Sequence, residues 1–204
     1  MKGKNFSLNS NKRNKNDYYQ TPYSMTRQLL EVENFEGNIL EPCCGAGAIV
    51  KVLRDYDKSV DYCDLNNEFS LTGIFKNFKD FVNDDFDRYD NIITNPPYSL
   101  AKEFILKAKQ ITNNKIAMLL PLNYLHGVTR YNEIYLDKEF PLKAVYVFCR
   151  YGLLEETIRD DGTYRTGMMV YAWYIWDKSY KGEPIIRWLN NNSYVRKIKD
   201  LSLF

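Results

Sequence analysis

The stretch that decides the fold is YDNIITNPPY, residues 89–98. Its first six residues contain the adjacent apolar pair Ile92 and Ile93, which predicts a buried β-strand. This strand runs directly into the tetrapeptide Asn95–Tyr98, whose two prolines fix the backbone of the turn. Ligands of open parallel sheets bind beyond the carboxyl ends of the strands. We therefore predict that the tetrapeptide forms part of a ligand-binding site.

Short apolar runs alternate with amphipathic segments on both sides of this strand. This alternation predicts an α/β fold in which helices cover both faces of a largely parallel sheet. Two late strands are joined without a clear helix, which predicts an antiparallel pair at one edge. The predicted strands are residues 38–41, 59–64, 89–94, 116–120, 144–149, 168–176 and 185–188, and the predicted helices follow Pro22 and Gly47 and span residues 99–110.

The composition limits the classes of function. The chain has 204 residues, of which 45% are apolar and 26% are charged, which is typical of a single globular domain. No apolar run approaches the ~18 residues of a membrane span, and the N-terminus lacks the apolar stretch of a signal peptide. We therefore expect a cytoplasmic protein with reduced thiols. The four cysteines lack paired metal-ligand spacing and His126 is the only histidine, which argues against a metal site and a Ser-His-Asp mechanism.

The net charge of +2 is unevenly distributed along the chain. Residues 1–16 hold five of the 28 basic residues and none of the 26 acidic ones, which leaves a net charge of −3 on the rest. Such a segment is either a solvated tail or a contact for the phosphates of a nucleic acid. We expect residues 1–16 to be a basic disordered tail and residues 17–204 to form one domain.

The tetrapeptide has the groups needed to activate a planar amino nitrogen. An amine such as N6 of adenine is a poor nucleophile because its lone pair is delocalised into the ring. The side-chain oxygen of Asn95 and the carbonyl of Pro96 would accept its two protons and stabilise the developing positive charge. The Tyr98 ring would stack on a base that has left the duplex. The alternative, a strand that merely ends in a Pro-Pro turn, is disfavoured by its position at a ligand-binding edge.

Two further elements precede this strand. The loop EPCCGAG, residues 41–47, connects a predicted strand to a predicted helix, and its glycines would let a ligand approach the backbone. Asp64 ends the next predicted strand and could hold two ribose hydroxyls, or it could equally be a turn residue. Asp80 and Phe81 could accept a hydrogen bond from an adenine amine and pack on the ring. Each element indicates little alone, but their order along the chain can be compared with that of known families.

The order of these elements resembles that of the DNA N6-adenine methyltransferases, particularly the small phage-type ones. The first motif of this family is similar to DYYQTP at residues 17–22. Its cofactor loop is similar to residues 41–47, and its catalytic motif to residues 95–98. The resemblance spans residues 17–178, which is most of the chain.

This resemblance implies a Rossmann-like class I methyltransferase fold, with a seven-stranded mixed sheet, one antiparallel edge strand and helices on both faces. It also implies S-adenosylmethionine as the cofactor. The methyl group would pass directly and in line from the sulfonium to N6 of a flipped adenine, without a covalent enzyme intermediate. The implied catalytic residues are Asn95, Pro96 and Tyr98. The implied cofactor-binding residues are Tyr19, Thr21, Glu41, Cys43, Gly45, Gly47, Asp64, Asp80 and Phe81.

Contacts with DNA are expected outside the catalytic motif, because larger members of the family carry a target-recognition domain that is not recognisable in residues 17–204. The candidates are the basic tail and the loops 122–142 and 150–167, whose arginines suit phosphates or guanine edges. The predicted substrate-binding residues are Pro97, Arg130 and Arg150. Alternatively, a protein partner supplies the sequence recognition.

Two alternative functions stay open at this point. The tetrapeptide also occurs in methyltransferases that act on adenine in RNA or on glutamine amides of proteins, whose planar nitrogen poses the same activation problem. The Thr21-Pro22 element favours DNA. The second alternative is a non-catalytic nucleic-acid-binding module of the same fold, which the presence of all the site residues disfavours.

Overall fold

The computed structural model describes residues 20–66, 77–149 and 169–190. The helices are α1 (Tyr23–Val32), α2 (Ala48–Asp55), α3 (Ala101–Ile111) and the short α4 (Val128–Arg130). The strands are β1 (Ile39–Glu41), β2 (Val60–Asp64), β3 (Asn77–Phe78), β4 (Tyr89–Thr94), β5 (Thr112–Pro121), β6 (Leu142–Phe148), β7 (Tyr171–Asp177) and β8 (Ile185–Leu189). Short helical turns span Tyr98–Leu100, Leu122–Leu125 and Tyr131–Tyr135.

The described strands form one mixed sheet with the order β3-β2-β1-β4-β5-β7-β6-β8. Neighbouring strands are parallel except that β7 runs antiparallel to both β5 and β6. The predicted α/β fold with a mixed sheet and one antiparallel strand is confirmed. The strand order changes direction between β1 and β4, and such switch points are where open α/β sheets bind ligands.

The sheet departs from the expectation at both edges. The predicted strand 185–188 is observed as β8, which pairs in parallel with β6 and forms one edge, so that the antiparallel β7 lies inside the sheet rather than at its edge. The other edge is formed by an eighth strand that the sequence did not predict, the two-residue β3. Six of the seven β7 residues are buried, whereas Ile186 and Trp188 of β8 are exposed. A strand that is apolar on both faces is stabilised by neighbours on both sides, which explains the interior position of β7.

Helices cover both faces of the sheet, as predicted. α1 and α2 cover one face through Leu29 and Leu53, and α3 covers the other through Phe104 and Ile105. Each large apolar side chain stabilises the fold by about 1.5–3 kcal/mol when it is fully buried. This core fixes the strand ends that carry the candidate site. In the part of the chain that the structure describes, no helix is long and apolar enough to cross a membrane.

Candidate active site

The carboxyl ends of β1, β2 and β4 meet at one edge of the sheet. β1 lies between the other two strands and pairs in parallel with both. The three strands end at Glu41, Asp64 and Thr94, and Asn95 follows the last of them. The topology therefore brings together three predicted site segments that lie far apart in the sequence, and it places them at the switch point of the sheet.

The loop between β1 and α2 is held in a defined shape. Gly45 and Gly47 have φ angles of +49° and +80°, a left-handed conformation that favours glycine. The N–H of Gly45 donates to Asp64 Oδ2 at 2.7 Å, and the N–H of Gly47 donates to the carbonyl of Cys44 at 2.7 Å. The predicted glycine loop and the predicted strand-end carboxylate are thus in direct contact, with the amino end of α2 immediately beyond them.

Asn95 and Thr21 are hydrogen-bonded although they are 74 positions apart. Asn95 Nδ2 donates to Thr21 Oγ1 at 3.1 Å, and Thr21 is buried just before α1. This bond orients the carboxamide, because its nitrogen faces Thr21. The Thr-Pro element is therefore in contact with the predicted catalytic side chain.

The rest of the tetrapeptide forms a turn into α3. Pro96 is buried, Pro97 and Tyr98 are half-buried, and the N–H of Leu100 donates to the carbonyl of Pro97 at 2.9 Å. The centroids of the Tyr98 and Tyr171 rings are 5.7 Å apart, with an angle of 36° between the rings. Because β7 is antiparallel, its first residue reaches the edge where the parallel strands end. The sequence favoured a core position for Tyr171, on the same face of the strand as Trp173, over a stacking role.

Glu41 is fully buried beside these groups. Its Oε1 accepts hydrogen bonds from Thr94 Oγ1 at 2.6 Å and from the N–H of Cys43 at 3.1 Å. Its Oε2 has no hydrogen-bond partner among the described residues. Burial raises the pKa of the carboxyl to about 8, the nearby charge of Asp64 acts in the same direction, and the two hydrogen bonds oppose the shift. The carboxyl is therefore largely protonated at neutral pH.

The thiol of Cys43 connects the glycine loop to the tetrapeptide. Its Sγ lies 2.9 Å from Thr94 Oγ1 and 3.3 Å from the carbonyl oxygen of Asn95. Burial raises the pKa of this thiol, and the neighbouring Glu41 acts in the same direction, so the group is a neutral donor and a poor nucleophile. Thr94 touches both Glu41 and Cys43. The sequence singled it out only as the residue before Asn95.

Asp80 and Phe81 are engaged in local structure. The Asp80 carboxylate accepts hydrogen bonds from the N–H groups of Val82 and Asn83 and from Asn83 Nδ2, and the bond from the Asn83 side chain lowers its pKa. Phe81 is buried in the core, with its ring centroid 4.9 Å from that of Phe104. An adenine-binding role for this pair stays a prediction.

Exposed apolar side chains beside Asp64 offer another platform for an aromatic ring. Phe78 pairs with Asp64 between β2 and β3, and it is 64% exposed. Leu65, the residue after Asp64, is 56% exposed. Large apolar side chains of this kind are typical contacts of aromatic ligands. The sequence did not reveal either residue, because β3 is only two residues long and has no apolar alternation.

Arg130 is held in one orientation beyond the carboxyl end of β5. Its guanidinium lies 4.5 Å from the centroid of the Tyr124 ring, and its Nε donates to the carbonyl of His126 at 2.8 Å. A preorganised guanidinium loses little side-chain entropy when it binds a phosphate or a base edge. Tyr19, Arg150, residues 1–16 and the loop 150–167 lie outside the described residues. Within the described residues, no group of three or more His, Cys, Asp or Glu side chains could hold a metal ion.

No protein-family model matches the sequence, and no curated protein matches it. The fold, in contrast, matches many solved structures. A Listeria monocytogenes protein assigned to the class I S-adenosylmethionine-dependent methyltransferases superposes with a TM-score of 0.60 and 14% identity, over 89% of this chain and 70% of its own. A modification subunit assigned to a type I restriction enzyme of Vibrio vulnificus gives a TM-score of 0.59 and 15% identity, over 91% of this chain and 53% of its own.

A Pyrococcus horikoshii protein assigned as an RNA methyltransferase gives a TM-score of 0.58 and 19% identity, over 79% of this chain and 87% of its own. These identities are low, so the shared property is the fold. The strand order, the single antiparallel β7 and the glycine loop after β1 agree with it. The chain has the Rossmann-like fold of the class I S-adenosylmethionine-dependent methyltransferases.

Proposed function

We propose that the protein transfers a methyl group from S-adenosylmethionine to the N6 amino nitrogen of adenine in DNA. The orientation of Asn95 carries this proposal. Its amide nitrogen donates to Thr21 at the ligand-binding edge. We infer that the side-chain oxygen of Asn95 and the carbonyl of Pro96 together accept the two protons of the substrate amine. Two fixed acceptors suit a planar amine that has two protons to donate.

The residues around the switch point fit the proposed cofactor. Asp64 has a carboxylate suited to ribose hydroxyls, and the loop from Glu41 to Gly47 lets a ligand approach its backbone. Leu65 and Phe78 provide exposed apolar surface beside Asp64 for an adenine ring. When bound, the cofactor supplies an electrophilic methyl group on a positively charged sulfonium. The residues of the chain have to bind the cofactor, orient the substrate and exclude water from the site.

The tetrapeptide would act on the substrate nitrogen. The oxygen of Asn95 and the carbonyl of Pro96 accept the N6 protons, which favours a tetrahedral nitrogen whose lone pair points at the methyl group. The same fixed dipoles stabilise the positive charge that develops on the nitrogen, and loss of one such group typically lowers the rate about 10²–10³-fold. The Tyr98 ring, backed by Tyr171, stacks on the flipped adenine.

Two features favour DNA as the substrate over RNA and over a glutamine amide. The Thr21-Pro22 element resembles that of the DNA N6-adenine methyltransferases. Arg130, fixed on Tyr124 beyond β5, suits a phosphate or a guanine edge. The modification subunit from Vibrio vulnificus, which shares the fold, is compatible with this choice.

The experiment is a transfer assay with methyl-labelled S-adenosylmethionine and three acceptors: duplex DNA, total RNA and a protein lysate. After digestion to nucleosides, we expect the label in N6-methyl-2′-deoxyadenosine and an initial rate of labelling about 10²–10³-fold lower with Asn95→Ala. Label in RNA alone would overturn the DNA assignment and leave the reaction class standing. Label in protein alone would overturn the adenine assignment altogether.

A further inference from the structure

We propose that Thr21 is a positioning residue for Asn95, and that its hydroxyl holds the Asn95 carboxamide in the orientation in which it acts on the substrate amine. The proposal rests on the proposed function for the reaction in which Asn95 takes part. It gives Thr21 a role through Asn95 instead of the direct cofactor contact that the family resemblance implies.

The side chain of Thr21 faces Asn95 and is closed off from solvent. Thr21 is only 5% exposed, which leaves little surface for a direct contact with a ligand. Its Oγ1 accepts a hydrogen bond from Asn95 Nδ2 at 3.1 Å. The torsion that rotates the carboxamide of an asparagine has broad energy wells, so the group is poorly oriented without a partner. A hydrogen bond at one end of the amide therefore limits the orientation of the whole group.

The Thr21 hydroxyl is itself held in a fixed place. Pro22 restricts the backbone of the residue before it to extended conformations, and the β-branch of threonine leaves few rotamers. The N–H of Met25 donates to the carbonyl of Pro22 at 3.0 Å, at the start of α1. Trp173 Nε1 on β7 donates to the carbonyl of Met25 at 2.9 Å, which connects α1 to the sheet. A hydroxyl on such a rigid support can orient its partner.

The backbone and the side chain of Asn95 are held from two different parts of the fold. The thiol of Cys43, in the glycine loop, donates to the carbonyl of Asn95 at 3.3 Å. This contact fixes the backbone of Asn95, whereas the contact with Thr21 fixes its carboxamide. A displacement of about 1 Å at a reacting group can lower a rate about 10²-fold. We therefore expect the orientation of the carboxamide to contribute to the rate separately from its presence.

The first test is Thr21→Val, which keeps the shape of the side chain and removes the hydroxyl. We expect kcat to fall about 10-fold to 10²-fold, with unchanged affinity for S-adenosylmethionine in calorimetry. In the Asn95→Ala background the same substitution should cause no further loss, because the hydroxyl has no carboxamide to position. Lower cofactor affinity, or the same fold-loss in both backgrounds, would overturn the proposal.

Two further variants separate the hydroxyl from the packing around it. Thr26→Val is the matched control, because Thr26 is a buried threonine of α1 whose Oγ1 has no hydrogen-bond partner among the described residues. It should keep the kcat of the natural protein. Thr21→Ser retains the hydroxyl and should recover most of the rate. Equal losses in Thr21→Ser and Thr21→Val would make Thr21 a packing residue and contradict the proposal.

A measurement that needs no methylation is the NMR signal of the Asn95 side-chain amide, which is identified by its absence from Asn95→Ala. In the natural protein this amide should be more ordered than that of the exposed Asn113, and in Thr21→Val its order parameter should fall. If Thr21→Val does not fold, an Asn95 amide as mobile as that of Asn113 in the natural protein would still refute the inference.

The two proposals fail in different ways. An Asn95 amide that becomes mobile in Thr21→Val, in a protein that does not methylate DNA, would overturn only the proposed function. Methylation of DNA by a protein whose Asn95 amide is unchanged in Thr21→Val would overturn only this inference.

Discussion

Two buried glutamates lie at opposite ends of the sheet and meet opposite surroundings. Glu33, just after α1, lies near the amino-terminal ends of the parallel strands, 2.9 Å from the Lys115 ammonium and 3.0 Å from that of Lys143. It also accepts a hydrogen bond from the Tyr146 hydroxyl at 2.8 Å. Glu41, at the carboxyl end of β1, has only neutral donors.

The two surroundings shift the pKa of the two carboxyl groups in opposite directions. Burial alone would raise the pKa of Glu33, but the hydrogen bonds from Lys115, Lys143 and Tyr146 outweigh it and the pKa is lowered. For Glu41, burial prevails and the pKa is about 8. Both glutamates are buried, Glu41 more deeply than Glu33. Glu33 is an anion because the fold provides cations beside it, and Glu41 is a neutral acid because only neutral donors oppose its burial. The amino end of the sheet carries the ion pairs of Glu33, and the carboxyl end carries the residues of the proposed function.

The largest expected effect concerns the carboxyl end alone. Asn95→Ala should lower the rate of methyl transfer by about 10²–10³-fold, because it removes an acceptor for the substrate amine. Cofactor affinity should not change, and the melting temperature should fall by no more than about 2–4 °C, because one hydrogen bond to Thr21 is lost. Asn34→Ala, at the opposite end of the sheet, is the matched control and should keep the full rate. Parallel loss of cofactor binding, measured by calorimetry, would make Asn95 a structural residue instead.

The next effect concerns the amino end alone. Glu33→Gln should lower the free energy of unfolding by about 1.5–3 kcal/mol at pH 7, because Lys115 and Lys143 lose the nearer of two shared anions and keep Asp177 at 3.8 Å and 3.5 Å. Cofactor affinity should be unaffected. The depressed pKa means that this stabilisation is present above the ordinary value of 4.5 and is lost as the pH falls through the lowered value. Denaturant titrations should show the gap between the variant and the natural protein closing in acid, while a pH-independent gap would refute the ion-pair explanation.

The stability of Glu41→Gln relative to the natural protein should change with pH in the opposite direction to that of Glu33→Gln. The folded protein without ligand binds a proton that the unfolded chain has lost, so its stability falls as the pH rises from about 4.5 to about 8. The stability of the variant does not fall in this way, because glutamine does not titrate. Its melting temperature should therefore improve relative to the natural protein over that range, by roughly 2–4 °C for each kcal/mol of destabilisation avoided. A relative melting temperature that stays constant with pH would mean that Glu41 is already ionised without ligand.

The smallest effect is expected at Cys43, whose thiol connects the glycine loop to the tetrapeptide. Cys43→Ala removes the contact with the carbonyl of Asn95, a weak hydrogen bond, and should lower kcat by less than about tenfold. Cys43→Ser keeps a donor of smaller size and should recover most of the rate. Steady-state kinetics would reveal the pattern, and equal losses in both variants would point to packing of the loop as the cause.

The part of the site that could be predicted from sequence is the part that follows predicted strands. Asn95, Asp64 and Gly45 each come just after an apolar run, and a parallel sheet carries such ends to one edge. Their meeting was predictable before any distance was known. Tyr171 was not, because its place at that edge depends on the antiparallel direction of β7 and its pairing with the end of β5.

The sequence also did not predict which side chains are buried where the strand pattern is weak. Phe81 and Phe78 are three residues apart, yet the first is 2% exposed and the second 64% exposed. The bond of Thr94 to Glu41 depends on how β1 and β4 are aligned, and no local pattern encodes that alignment. The short strand β8 was predicted from its sequence, but its pairing with β6, which places β7 inside the sheet, is not encoded in any local pattern.

The most direct test of the proposed function is nucleoside mass spectrometry of DNA from cells that lack adenine methylation and express this protein. N6-methyl-2′-deoxyadenosine should accumulate with the natural sequence and should be absent with Asn95→Ala at equal expression. Unmodified adenine with the natural sequence, together with methylated glutamine in cellular protein, would contradict the account.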